Sequence, residues 1–194
     1  MFFDRDGVLT ELVWNGRTGA RESPHSVRDL RLRPHVLRVL KALQSRRYEL
    51  FVVSNQPSFA KGKASLEELR AIAATFALRL RRSGVRLRAA YYCFHHPAGR
   101  VAPFGRRCRC RKPSPYFLRL AARRYGVDLR RSWMVGDRLT DVECGRRAGC
   151  RTLLMTTARG DRTVTNPLPD RTTRNLRSAL EVILASDRGG RSRD

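Results

Sequence analysis

MFFDRDGVLTELV, residues 1–13, sets two carboxylates, Asp4 and Asp6, directly behind three apolar residues. Read as a strand running into a loop, it is the start of an α/β protein with a functional loop. Read as a charged N-terminal fray, it carries nothing. In an extended segment, residues two apart face the same side, about 6.6 Å apart at the Cα, so Asp4 and Asp6 are expected to face one pocket. A buried strand ordinarily runs five or six residues. Met1, Phe2 and Phe3 therefore look two or three residues short, and either an upstream start or a short, less stable strand is expected.

Downstream of this loop, strand and helix patterns alternate. A loop-like segment reaches Arg28, with Gly16, Gly19 and Pro24 as breakers, and PHVLRVLKALQSRR then carries the 3.6-residue apolar period of a helix. YELFVVSNQ is a buried strand that stops at the polar Ser54, Asn55 and Gln56. Ser65 and Glu68 form a Ser-x-x-Glu capping box that opens a helix ending near Gly84. LRAAYYCF, SWMVGD and CRTLLM read as further strands. SPYFLRLAARRYG, Leu139 to Ala148 and roughly Thr173 to Leu184 read as helices.

Such alternation predicts an α/β fold with a mainly parallel sheet, helices on both faces and right-handed crossovers. One domain is expected over residues 1–186, followed by a disordered basic tail over 187–194. Ligands bind beyond the carboxyl ends of the strands in such sheets. FFDRD, VVSNQ and MVGD all lie there, so three separate stretches are expected to converge.

The formal charge of +24 raises a nucleic-acid partner. All but four of the 41 basic residues are arginines, however, scattered along predicted helices rather than gathered in one run. That pattern fits coding bias and a solvated surface. The same field would steer a small anionic substrate. AIAATFAL, residues 71–78, is the longest nearly apolar run and is too short to span a membrane. MFFDRDG is not a signal peptide, so a cytoplasmic protein is expected, working as a monomer without a membrane partner.

Close carboxylates repel, and a divalent cation relieves that repulsion. With Asp137 added, the hard oxygen set suits Mg²⁺ together with a substrate phosphate. A carboxylate can then attack phosphorus to give an aspartyl-phosphate, with Ser54 donating a hydrogen bond and Lys112 a positive charge. Each piece alone is weak; their order and context carry the reading.

A second constellation lies in CFHHPAGRVAPFGRRCRC, residues 93–110. Cys93-x-His95 and Cys108-x-Cys110 are separated by twelve residues, and four N/S ligands are what a closed tetrahedral zinc site requires. His96 rivals His95 on spacing. A disulfide is the weaker alternative in a cytosolic chain. Cys144 and Cys150 read as structural.

The order hhhDxDG, VVSN, an isolated Lys before a helix and hhGDRxTD resembles the four motifs of haloacid dehalogenase (HAD) superfamily phosphatases, over nearly the whole chain. The resemblance implies Asp4 as nucleophile and metal ligand. Asp6 becomes the general acid/base, with its backbone carbonyl on Mg²⁺. Ser54, Asn55 and Lys112 would hold the phosphoryl group, and Asp137 would be the last-motif metal ligand. Asp141 matches that motif's second acid, whose role is more variable. The zinc loop before C-R-K-P resembles the heptose bisphosphate and histidinol-phosphate phosphatase branch, subclass IIIA, which lacks a large cap. That branch implies a structural zinc held by Cys93, His95, Cys108 and Cys110, with Gln56 and Arg111 at the substrate.

The expected activity is removal of the 7-phosphate from D-glycero-D-manno-heptose 1,7-bisphosphate, in nucleotide-heptose or polysaccharide synthesis. Lys61 and Lys63 would attract the second phosphate. Pro57 and Ser58 depart from the Ser-Gly usual after Asn-Gln, which leaves the substrate open. Histidinol phosphate and a polynucleotide 3′-phosphate are the alternatives within the same chemistry. A zinc-containing nucleic-acid module is the non-enzymatic rival; it would use Arg100, Arg106, Arg107, Arg109 and Arg111 but leaves the carboxylates unexplained.

Overall fold

The computed structural model describes residues 1–16, 18–156 and 168–189. Its centre is a six-stranded sheet built from β1 (Phe2–Phe3), β4 (Phe51–Asn55), β5 (Ala89–Cys93), β6 (Trp133–Gly136), β7 (Arg151–Met155) and β8 (Arg171–Thr173). β2 (Val13–Asn15) and β3 (Ala20–Glu22) pair separately as an antiparallel hairpin. The helices are α1 (Val36–Ser45), α2 (Leu66–Arg82), α3 (Tyr116–Tyr125), α4 (Leu139–Ala148) and α5 (Leu176–Gly189).

The sheet order is β5-β4-β1-β6-β7-β8, and every pairing in it is parallel. After β1 the chain builds outward through β4 and β5, then crosses to β6 on the other side of β1. That reversal creates a crevice at the carboxyl ends of β4, β1 and β6.

Side-chain alternation along the strands explains the layers. Phe2, Phe51, Val53 and Met134 face Leu118 and Ala121 of α3 and Cys144 of α4. Phe3, Val52, Val135 and Leu153 point the other way, against residues of α1, α2 and α5. Two apolar layers thus sandwich the sheet, and helices cover both faces as expected.

β1 is as short as the sequence suggested, yet Phe2 and Phe3 are fully buried between two neighbours. Phe2 also stacks on Phe51 with centroids 5.0 Å apart. Backbone pairing continues past the strand on both sides, with the Phe51 N–H donating to the Met1 carbonyl and the Asp4 N–H to Val135.

The Ser65 capping box forms as read: the Ser65 hydroxyl accepts from the Glu68 N–H at 3.0 Å, and Glu68 accepts from the Ser65 N–H at 2.7 Å. Three strands escaped the sequence reading. The β2–β3 hairpin lies in the expected loop; it buries no face, and its Trp14 is 62% exposed, so no apolar alternation marks it. β8 is a polar edge strand, Arg-Thr-Thr, that occupies the expected start of the last helix. α5 begins instead at Leu176 and runs to Gly189, three residues into the expected tail. Residues 190–194 of that tail lie outside the described residues. Among the described residues, no helix is long and apolar enough to cross a membrane.

Candidate active site

β1 ends at Phe3, and the chain turns at once: the Leu9 and Thr10 N–H groups both donate to the Arg5 carbonyl, and the Gly7 N–H donates to that of Thr10. Across the turn Asp4 and Asp6 take different side-chain partners.

Asp4 turns toward β6 and α4. Carboxylate oxygens of Asp4, Asp137 and Asp141 all lie within 4.8 Å of one another. Lys112 reaches into this group, with Nζ 2.9 Å from Asp4 Oδ1 and 2.6 Å from Asp141 Oδ1, and it donates to the Val53 carbonyl at 2.7 Å. Asp4, Lys112 and Asp141 are buried and Asp137 is half-buried.

Glycine is needed at two positions for this approach. Gly7 has φ +87°, and a Cβ there would sit 2.0 Å from Asp137 Oδ2. At Gly136 a Cβ would fall 2.1 Å from that of Asp141. Only a bare backbone lets the β1 loop and the first turn of α4 close on the site.

Three carboxylates face one ammonium. Burial alone would lower the Lys112 pKa, but Asp141 and Asp4 outweigh it and hold the amine above its ordinary value, charged. The charge left over falls on Asp137, which burial, then Asp4 and Asp141, push up to about 7. Asp137 Oδ1 is buried with no hydrogen-bond partner among the described residues. Asp4 Oδ1 and Asp141 Oδ1 each meet the Lys112 ammonium directly. An unpartnered hard oxygen on Asp137, within a cluster of excess negative charge, fits a Mg²⁺ ion.

The Asp6 carboxylate sits in a cradle of four donors. Arg5 approaches it as a fork, Nε to Oδ1 at 2.8 Å and Nη2 to Oδ2 at 2.9 Å. Thr10 Oγ1 donates to Oδ1 at 2.8 Å and Gln56 Nε2 to Oδ2 at 2.6 Å. Burial would raise the Asp6 pKa, but Arg5 overrides it and the carboxyl titrates below its usual range.

The polar end of β4 supports the site from below. The Ser54 hydroxyl is buried and accepts from Gln56 Nε2 at 3.0 Å. Asn55 pairs reciprocally with the Lys112 backbone: Nδ2 donates to the Lys112 carbonyl at 3.1 Å, and Oδ1 accepts from the Lys112 N–H at 3.0 Å. Gln56, read as a substrate contact, is buried, and its amide bonds Asp6, Ser54 and Arg5. Arg111 is half-buried beside Lys112 and donates to the His95 carbonyl at 3.2 Å. Lys63 ion-pairs with Glu22 of β3 at 2.5 Å.

Arg5 and Thr10 were not singled out in the sequence. An Arg between two acidic residues reads as surface charge, and only its zero exposure reveals otherwise.

The loop between β5 and α3 gathers the second cluster. Cys93, Cys108 and Cys110 bring their sulfurs to 3.5–3.6 Å from one another, and His95 Nδ1 lies 4.0 Å from Cys93 Sγ and 3.8 Å from Cys110 Sγ. Ligands tetrahedral about zinc at about 2.3 Å stand about 3.8 Å apart, so the donor set fits a zinc ion. His96 is engaged elsewhere, its Nδ1 accepting from the Ala98 N–H at 3.1 Å. All five cysteines are free. The loop also docks on the segment after β4, where the Ala60 carbonyl accepts from the Arg100 and Val101 N–H groups and Phe59 meets Phe104 edge-on.

Comparison with known proteins places this architecture. Residues 109–179 match the HAD-hydrolase-like family. The chain is 33% identical over 156 residues to the D-glycero-beta-D-manno-heptose-1,7-bisphosphate 7-phosphatase of Escherichia coli K12, covering 80% of this chain and 77% of that protein. It is 30% identical over 148 residues to the D-glycero-alpha-D-manno-heptose-1,7-bisphosphate 7-phosphatase of Photorhabdus laumondii, covering 76% of each. Among solved structures, the D,D-heptose 1,7-bisphosphate phosphatase of B. bronchiseptica, complexed with magnesium and phosphate, superposes with a TM-score of 0.74 at 28% identity. That match covers 96% of this chain and 98% of the other. A HAD-like phosphatase from Mesorhizobium loti superposes with a TM-score of 0.77 at 29% identity, over 95% of this chain and 83% of that one. With its central sheet, its carboxylate cluster and these relatives, the chain belongs to the HAD superfamily of phosphoric monoester hydrolases, in the heptose bisphosphate phosphatase family.

Proposed function

We propose that residues 1–186 form a single Mg²⁺-dependent phosphatase domain that removes the 7-phosphate of D-glycero-D-manno-heptose 1,7-bisphosphate. The observation that carries the reaction is the buried cluster of Asp4, Asp137, Asp141 and Lys112 at the strand-order reversal. The substrate rests on the relatives, whose names specify this sugar in both anomeric forms.

Asp4 is the nucleophile. Its carboxylate forms a bond to phosphorus as the ester P–O bond breaks, and Asp6, ionised in the free enzyme, must take up a proton in the substrate complex before giving it to the departing oxygen. Water then attacks the aspartyl-phosphate, Asp6 takes a proton from it, and inorganic phosphate leaves with Asp4 restored. Lys112, Ser54 and Asn55 hold the phosphoryl group; Asn55 does so by fixing the Lys112 backbone. Asp4, Asp137 and the Asp6 backbone carbonyl would hold Mg²⁺, which supplies charge neutralisation for the phosphoryl oxygens. Arg111 lies one residue from Lys112 at the mouth and is assigned to the substrate, with Gln56 acting through Asp6.

Zinc on Cys93, His95, Cys108 and Cys110 is structural, holding the loop that delivers Arg111 and Lys112. Five cysteines outside any disulfide, three of them assigned to zinc, support a reducing, cytoplasmic location.

The test is phosphate release with Mg²⁺ from both heptose bisphosphate anomers, histidinol phosphate and 3′-phosphorylated DNA. Heptose bisphosphate is expected to turn over fastest, and Asp4→Asn to lower turnover by at least roughly 1,000-fold. Equal turnover of the histidinol or DNA substrate would reassign the substrate; full activity in Asp4→Asn would sink the mechanism. Metal analysis of protein prepared without chelators is expected to find about one zinc per chain, and none would remove the loop assignment.

A further inference from the structure

Arg5 is fully buried, stands between the two acidic residues of the first motif, and spends its guanidinium on Asp6 and Gln56 rather than on the Asp4 cluster. Desolvating an arginine is costly, and its pairing with Asp6 offsets that cost only through close geometry and further hydrogen bonds. Here the partner is held in one orientation. Each Asp6 oxygen accepts from two donors, Arg5 Nε and Thr10 Oγ1 on Oδ1 and Arg5 Nη2 and Gln56 Nε2 on Oδ2, and one of them gives way when Asp6 takes up its proton. The donors are themselves anchored. Gln56 Oε1 accepts from Arg5 Nη2 at 2.8 Å, the Gln56 N–H donates to the Cys93 carbonyl at 2.7 Å, and Arg5 lies 5.5 Å from the Tyr92 ring centroid. The cradle thus ties the β1 loop to the ends of β4 and β5.

We propose that Arg5 is the positioning residue for Asp6, with Thr10 and Gln56 completing a fork that sets which way the Asp6 carboxylate faces. Rigid, planar and bidentate, the guanidinium fixes both oxygens at once; an ammonium would leave the carboxylate free to rotate. This inference rests on Asp6 being the acid that protonates the leaving oxygen.

Such a role has a signature that a merely structural one lacks. Loss of the leaving oxygen as an alkoxide needs a well-placed acid, whereas 4-nitrophenolate departs without one. kcat/KM reports only steps through formation of the aspartyl-phosphate, so the later water attack does not enter it. The experiment compares kcat/KM in Mg²⁺ for the alkyl phosphate that the wild type hydrolyses and for 4-nitrophenyl phosphate, in wild type, Arg5→Lys, Thr10→Val, Gln56→Leu and Asp6→Asn.

In Arg5→Lys the alkyl-to-aryl ratio is expected to fall by about 10-fold or more, because general acid catalysis contributes roughly 100-fold to 10,000-fold and misaligned acid forfeits part of it. Thr10→Val and Gln56→Leu are expected to lower the ratio less, and Asp6→Asn most. An equal loss on both substrates in Arg5→Lys, or an unchanged ratio, overturns the inference. Should circular dichroism show Arg5→Lys unfolded, Thr10→Val and Gln56→Leu decide it: a lowered ratio upholds the cradle and an unchanged one rejects it. If Asp6→Asn lowers the ratio and the cradle variants do not, only the role of Arg5 falls. If Asp6→Asn also leaves it unchanged, the assignment of Asp6 as the acid falls with it.

Discussion

Lys112 illustrates how one residue carries both stability and chemistry. It is buried against Asp4 and Asp141, and its backbone is clamped by Asn55. Removing one member of a buried ion pair strands its partners, at a cost of about 3–5 kcal/mol. Lys112→Met is expected to lose stability of that size in urea unfolding near neutral pH, together with phosphatase activity. A variant as stable as the wild type would mean that the carboxylates do not depend on this ammonium. At this scale the sequence was informative where a residue type is chemically unusual. An isolated Lys before Pro113 and a Gly-Asp pair after an apolar run stood out. Arg5 did not, because its burial depends on Thr10, Gln56 and Tyr92 closing around it, and two of these come from other strands' ends.

Among the elements, the β2–β3 hairpin is held to the segment after β4 by the Glu22–Lys63 pair, with Thr18 and Asn15 also donating to Glu22. Lys63 foremost, against a small burial penalty, pulls the Glu22 carboxyl from 4.5 down to about 2. A depressed folded-state value means stability that is complete above the ordinary carboxylate pKa and fades as pH falls through the folded one. The stability difference between wild type and Lys63→Met is therefore expected to be constant above about pH 4.5 and to vanish by about pH 2, with a plateau under about 1 kcal/mol because the pair is part-exposed. Thermal melts across that window check it; a difference that persists at pH 2 would assign the effect to packing. The pairing also bears on Lys63 as a phosphate attractor, since its charge is already matched by Glu22.

For the whole molecule, the excess of positive charge bears on how anionic ligands arrive. Long-range steering is screened within about 10 Å at 0.1 M salt, so kcat/KM for a sugar bisphosphate is expected to fall as salt rises from about 0.05 to about 0.5 M. The fall should be steeper than for a neutral-tailed monophosphate at equal Mg²⁺; parallel slopes would confine the charge to the surface. The sequence alone determined the α/β class, most strand and helix positions, the four acidic and basic motif residues, and the four-ligand loop. Each of these is written in local periodicity or in spacing along the chain. Tertiary structure decided which groups meet. It gave Asp4 and Asp6 different partners, brought Asp141 onto Lys112, turned Gln56 inward and chose His95 over His96, and it built the polar β8 and the exposed hairpin. Those outcomes depend on a two-residue central strand breaking into a loop and on groups far apart in sequence packing at one crevice, where local pattern has no say.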